Sequence, residues 1–146
     1  MAHAEHSVVV ARPAEVVYAF LLDGANNPLW RPPVLGIARV PGTPDGVGAR
    51  YAQQLKGPGG RAIAGDYEIT RAQPSTAIAF KVTAGPARPT GEYILQPEGA
   101  GTRVRFVLDF QPTGLARVMD GMIERTMRNE VGLLANLKAY LESQPA

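Results

Sequence analysis

Four polar side chains fall where alternating spacing turns them toward the interior: Tyr51, Gln53, Tyr67 and Tyr93. A buried phenol or amide without a partner costs about 1–3 kcal/mol, so such groups must bond to one another, to water or to a bound molecule. Two roles are open to the tyrosines: donors to a ligand inside a cavity, or amphipathic core residues whose hydroxyls reach the rim. Other chemistry is closed. The chain has no cysteine, which excludes thiol catalysis, thiolate-ligated zinc and iron–sulfur clusters. Its two histidines, His3 and His6, stand at the N-terminus, where a ragged terminus or an early strand accounts for them better than catalysis does. Gly57-Pro58-Gly59-Gly60 contains a proline and joins two strand-like segments, whereas a phosphate cradle leads into a helix. Neither a metal site nor a cofactor is expected.

A second group of candidates lies near the C-terminus. Met119, Met122, Ile123, Thr126 and Met127 recur at helical spacing or border that stripe. Methionine adapts to irregular gaps, which suits a pocket for variable apolar ligands and suits an ordinary core equally. Glu130 is the carboxylate nearest this stripe; a proton carrier and a surface residue are both open to it. Trp30 could wall one end of a cavity or plug the core.

These residues need elements to hold them. Val8 to Val10 open as a strand, and Arg12-Pro13-Ala14-Glu15 opens a helix, with Pro13 suited to its first position and Glu15 near the positive end of its dipole. Val16, Val17, Phe20 and Leu21 carry helical spacing, Asp23-Gly24 ends it, and a second short helix over 26–30 stops at Pro32-Pro33. From 34 to 110 the period changes to two. Tyr51, Gln53 and Leu55 alternate with Arg50, Ala52, Gln54 and Lys56; Ile63, Tyr67 and Ile69 oppose Asp66 and Glu68; Ile78, Phe80 and Val82 oppose Lys81; Tyr93 and Leu95 oppose Glu92 and Gln96; Val104, Phe106, Leu108 and Phe110 oppose Arg103, Arg105 and Asp109. Five segments with one charged face each predict an antiparallel sheet, wet on one side and covered on the other.

After Pro112 the period is helical again. Leu115, Met119, Met122, Ile123, Met127, Val131, Leu134, Leu137 and Leu141 form one broad stripe, and a helix of about 28 residues, roughly 40 Å long, would cross the whole sheet. Methionines occupy its first half and leucines its second, so a cavity is expected beneath 119–127 and ordinary core beneath 134–141. Gly121 and Gly132 each cost about 1 kcal/mol relative to alanine; close approach to the sheet would justify them, or they are simply tolerated.

Length and composition agree. The 146 residues suit one domain, 1–146, with 45% apolar and 19% charged residues, a globular composition. No apolar run approaches the roughly 20 residues of a membrane span, and the first residues lack the order of a signal peptide, so a cytoplasmic location is expected. The net charge is only +2, and the basic residues are interleaved with acids or apolar positions. Arg117, Arg125 and Arg128, with Glu124 among them, read as a solvated helix face, and no nucleic-acid partner is expected.

The order of strand, two short helices, six further strands and a long C-terminal helix resembles the helix-grip fold of the START-like (SRPBCC) superfamily. Two stretches carry the resemblance to its polyketide cyclase/dehydrase and lipid-transport branch. One is Arg12-Pro13-Ala14-Glu15-Val16-Val17-Tyr18-Ala19-Phe20 with the segment 26–30. The other is Gly91-Glu92-Tyr93-Ile94-Leu95-Gln96-Pro97 through Gly101-Thr102-Arg103-Val104. The resemblance implies an α+β fold: a curved antiparallel sheet of seven strands wrapped around the long helix, with two short helices after the first strand. It implies a hydrophobic or aromatic ligand, polyketide-, lipid- or quinone-like, between sheet and helix. The candidate lining is then Trp30, Tyr51, Gln53, Tyr67, Phe80, Tyr93 and Phe106 from the sheet side, with Met119, Met122, Ile123, Thr126 and Met127 from the helix. The superfamily's iron-dependent oxygenases are excluded, since their His and Cys ligands are missing. Cyclase or dehydratase chemistry without metal, a non-catalytic carrier or regulator, and a stress-response co-chaperone-like module all remain open, as do monomer and homodimer.

Overall fold

Alternation of side chains, once paired strand to strand, closes most of this chain into one antiparallel sheet. The structure, a computed structural model, describes residues 2–85, 87–111 and 120–145. Its strands are β1 (Ala2–Val10), β2 (Val34–Arg39), β3 (Arg50–Lys56), β4 (Ala62–Ala64), β5 (Tyr67–Gln73), β6 (Ala77–Val82), β7 (Thr90–Glu98) and β8 (Gly101–Phe110). Seven follow one another in the order β1-β8-β7-β6-β5-β3-β2, and the three-residue β4 pairs with β3 beside that path. The expected seven-stranded sheet is therefore present. The segment 63–70, expected as one strand, is split at Gly65-Asp66: its first part folds back on β3, and the second continues into β6.

Register explains the face assignments. Tyr51 pairs with Tyr67 and Tyr93 with Phe106, so the inward residues of neighbouring strands meet directly. Irregularities between Val34 and Gly36 and between Ile69 and Arg71 each insert an extra residue. Such bulges bend a sheet and sharpen its twist, and here they help curl it into a half-barrel. Outward positions carry the ions: Arg71 with Glu92, Arg103 with Glu98, and Arg105 with Glu5.

Two short helices follow β1: α1 (Ala14–Leu22), then a single 3-10 turn (Gly24–Asn26) running into α2 (Asn27–Trp30). Pro13 caps α1 from just outside it, its carbonyl accepting from the amides of Val16 and Val17. Asp23 ends α1 and its carboxylate accepts from Ala25 N at 3.0 Å, which starts the next turn.

The C-terminal helix is longer than either, and it is not one uninterrupted rod. It is described as α3 (Asp120–Gly132) and α4 (Leu134–Ser143), joined at Leu133, whose amide bonds to the Glu130 carbonyl three residues back. Gly132, which lacks a side chain to stiffen the turn, immediately precedes this tightening. Open space surrounds both Gly121 and Gly132 where a Cβ would project, so close approach to the sheet is not their reason. The expected stripe positions Leu115 and Met119, and Arg117, lie outside the described residues.

The core fills the concave side. Leu134 and Leu137 are fully buried and Leu141 nearly so, each contributing about 1.5–3 kcal/mol by leaving water. Polar bonds pin the same helix: Lys138 Nζ donates to the Val9 carbonyl at 2.7 Å, and Glu142 accepts from the Ala11 amide at 2.8 Å. Arg12 adds bonds to the carbonyls of Glu142 and Gln144. The last two helical turns are thus fastened to the start of the chain, while the backbone of α3 packs closest to β1 and β8.

Candidate functional site

Five inward aromatic or phenolic side chains run across five strands as a continuous ladder. Tyr51 on β3 stacks on Tyr67 of β5 with ring centroids 5.1 Å apart, and Tyr67 meets Phe80 of β6 edge-on at 5.5 Å. Phe80 lies 6.0 Å from Tyr93 of β7, which stacks on Phe106 of β8 at 4.4 Å. Offset and edge-on pairs of this kind add about 0.5–1.5 kcal/mol each to the burial of their area. Gly91 makes the middle of the ladder possible, since a Cβ there would sit 2.3 Å from the Phe80 ring and 2.9 Å from Leu108.

Between this ladder and α3 is a cavity of about 300 Å³, within the range of small-molecule sites. Gln53, Tyr67, Phe80, Tyr93 and Phe106 line its sheet side, and Met122, Ile123, Thr126 and Met127 line the helix side. Nine of the twelve expected lining residues are therefore brought together. Trp30 and Tyr51 stand behind the wall instead. Trp30, 1% exposed, meets the edges of Tyr93 and Phe106 at 6.3 and 6.4 Å, and Tyr51 backs Tyr67. Met119 lies outside the described residues. Leu134, Leu137 and Leu141 do not touch the space, so cavity and solid core divide the helix near Val131. Met122 is 55% exposed while lining the cavity, which puts it at a mouth.

The deep end is polar, and sequence reasoning missed much of it. Asn27, on α2, is buried and donates its Nδ2 hydrogens to Gln53 Oε1 and to the Tyr67 hydroxyl oxygen, both at 3.1 Å. Gln53 Nε2 in turn donates to the Gly65 carbonyl at 3.2 Å. The carbonyl can only accept, so it fixes the amide's orientation and, through it, the Asn27 bonds. Gly24 leaves room for this cluster: a Cβ on it would lie 2.3 Å from the Tyr67 hydroxyl.

Arg31, the last residue before Pro32-Pro33, turns its guanidinium inward. Nη2 donates to Glu130 Oε2 at 3.0 Å, and the two side chains keep only 11% and 18% of their exposure. Burial disfavours the Arg31 charge, but Glu130, together with smaller contributions from Tyr93 and Tyr67, offsets this and holds its pKa above the ordinary value. The guanidinium carbon also lies 5.8 Å from the Trp30 ring centroid, a cation–π arrangement. Arg31 Nε and Trp30 Nε1 are buried without a hydrogen-bond partner among the described residues. Burial pushes the Tyr93 hydroxyl up to about 12, with Arg31 pulling the other way; burial raises Tyr67 too. Both phenols are therefore protonated donors at neutral pH.

Asn27 and Arg31 carry weak sequence signals. They sit in a four-residue helix and its cap, too short for periodicity, and the partner of Arg31 is 99 positions away. The usable hint is an arginine beside the chain's only tryptophan, with Glu130 on the edge of an apolar stripe. Among the described residues no group of acidic residues and histidines is arranged to hold a metal ion. No described helix is long and apolar enough to cross a membrane.

Comparison with known proteins places this architecture. The TTHA0849 protein of Thermus thermophilus matches with a TM-score of 0.78 at 20% identity, over 94% of this chain and 95% of that one. A START superfamily protein from Mycobacterium smegmatis matches with a TM-score of 0.77 at 18% identity, over 96% and 94%. The di-domain ARO/CYC BexL from the BE-7585A biosynthetic pathway matches at 26% identity and a TM-score of 0.76, over 97% of this chain and 47% of that one. No curated protein sequence matches. The family model described as polyketide cyclase / dehydrase and lipid transport matches residues 1–142, and the chain belongs to that family.

Proposed function

We propose that this chain is a single ligand-binding domain that holds a hydrophobic or aromatic small molecule, polyketide-, lipid- or quinone-like, in the cavity beneath α3. The carrying observation is an apolar space of about 300 Å³ whose deep end presents protonated phenols and an arginine. Apolar walls supply affinity, and a few fixed polar groups supply orientation. The family and the likeness to the ARO/CYC di-domain support this ligand class.

Between carrier and enzyme, one feature favours the carrier. Glu130 is the one carboxylate among the described lining residues, and it is bound to Arg31 at 3.0 Å. To act as a general base it would have to give up a desolvated ion pair, which costs several kcal/mol. Any turnover would then rest on shape, desolvation and carbonyl polarisation by Tyr67 or Tyr93, the metal-free cyclase or dehydratase version. Native mass spectrometry after incubation with a panel of aromatic ketones, quinones and fatty acids tests the reading. Retention of an aromatic or lipid ligand, lost when Met127→Trp fills the cavity, is expected. Equal retention by that folded variant rules the site out. Product analysis of the same incubations separates carriage from cyclisation.

A further inference from the structure

The donors and acceptors at the deep end specify the ligand's polar group, given the cavity reading above. Gln53 Oε1 is occupied by Asn27, and the Tyr67 oxygen accepts from the same amide, which leaves the Tyr67 hydrogen to donate. The Tyr93 hydroxyl has no partner among the described residues. Arg31 commits Nη2 to Glu130, while its Nε is buried and unpartnered. Donors from Arg31, Tyr67 and Tyr93, on three separate elements, converge on the deep end of the cavity, and a ligand that brings an acceptor satisfies them.

Charge decides which acceptor. Arg31 and Glu130 sum to zero, and both are largely removed from water. A carboxylate entering beside them would place a second negative charge near Glu130 with no further cation among the described lining residues, an arrangement desolvation makes costly. A carbonyl oxygen takes the same donors without adding charge. We infer that the ligand is an apolar molecule ending in a neutral carbonyl, of the aryl ketone or quinone class, and that the Arg31–Glu130 pair selects it against carboxylic acids.

Three naphthalenes substituted at the same ring position test this by calorimetry at neutral pH: acetonaphthone, ethylnaphthalene and naphthoate. In the native protein the ketone binds about tenfold tighter than the hydrocarbon, the equivalent of one net hydrogen bond, and naphthoate binds no tighter than the hydrocarbon. Glu130→Gln leaves Arg31 as an unneutralised cation and inverts the order, making naphthoate the tightest of the three. Tyr93→Phe, which removes no observed bond, lowers ketone affinity about five- to tenfold and leaves the hydrocarbon unchanged; it keeps the test decisive if Glu130→Gln does not fold. A ketone no tighter than the hydrocarbon, or naphthoate tighter than the ketone in the native protein, overturns the selection while leaving the cavity reading standing. Failure of all three to bind overturns the cavity reading and the selection with it.

Discussion

Replacing Glu130 by methionine strands a positive charge, and the size of the loss follows from the geometry. The Arg31–Glu130 contact is 3.0 Å with side-chain exposures of 11% and 18%. At an effective dielectric of about 20, two unit charges at that separation attract by about 5.5 kcal/mol. Removing the ions from water costs several kcal/mol each, so the pair as a whole is close to neutral for stability, whereas either ion alone is a net burden. Glu130→Met is therefore expected to lower the unfolding free energy by about 3–4 kcal/mol, and Arg31→Met by about 3 kcal/mol. The double variant, with two apolar side chains of similar volume, should lie within about 1 kcal/mol of the native protein or above it. Urea unfolding gives all four values, and for a chain of this length the Glu130→Met loss corresponds to a fall in Tm of about 6–16 °C. Additive single effects, with the double variant the least stable, would refute the claim that the two charges are coupled and buried.

Three further outcomes follow from the packing. Tyr67→Phe leaves an Asn27 N–H without its acceptor and should cost about 1–2 kcal/mol, while Tyr93→Phe should stay within about 0.5 kcal/mol; chemical denaturation of both separates the phenol that supports structure from the phenol that faces the cavity. Gly91→Ala drives a methyl into the Phe80 ring and Leu108 and should cost about 1–3 kcal/mol, with weaker binding of any naphthalene ligand by calorimetry because Phe80 is pushed into the cavity. Leu137→Ala, at a fully buried position, should cost about 2–5 kcal/mol, whereas Met122→Ala, more than half exposed, should change stability by less than about 0.5 kcal/mol; thermal melts of the pair show whether cavity and core divide the helix where the lining does.

The sheet was legible because β3 and β5 to β8 each repeat one rule, apolar or phenolic inward and charged outward, over enough residues to count. The ladder Tyr51, Tyr67, Phe80, Tyr93 and Phe106 follows from that rule alone, since inward residues of paired strands must meet. What alternation could not separate is a residue facing space from one packed behind it, and so Tyr51 looked the same as Tyr93, while Trp30, in a four-residue helix, carried no periodic signal at all. The split at Gly65-Asp66 was hidden because Ile63 and Tyr67 keep the same parity across it. Arg31 was hidden for a different reason: its side chain follows a charge partner on another element, and such pairing leaves no periodic trace. Glu130 was visible as the carboxylate nearest the stripe, but its engagement with Arg31, which makes it an unsuitable base, exists only in the folded chain.

The chain has four methionines, few enough for each methyl to be followed separately in a spectrum of protein labelled with carbon-13 at the methionine and leucine methyls. Titration with acetonaphthone should shift the Met122 and Met127 methyls saturably and leave the leucine methyls of Leu134, Leu137 and Leu141 in place. Unmoved methionine methyls at a ligand concentration that saturates calorimetric binding, or shifts centred on those leucines, would contradict a binding cavity beneath α3.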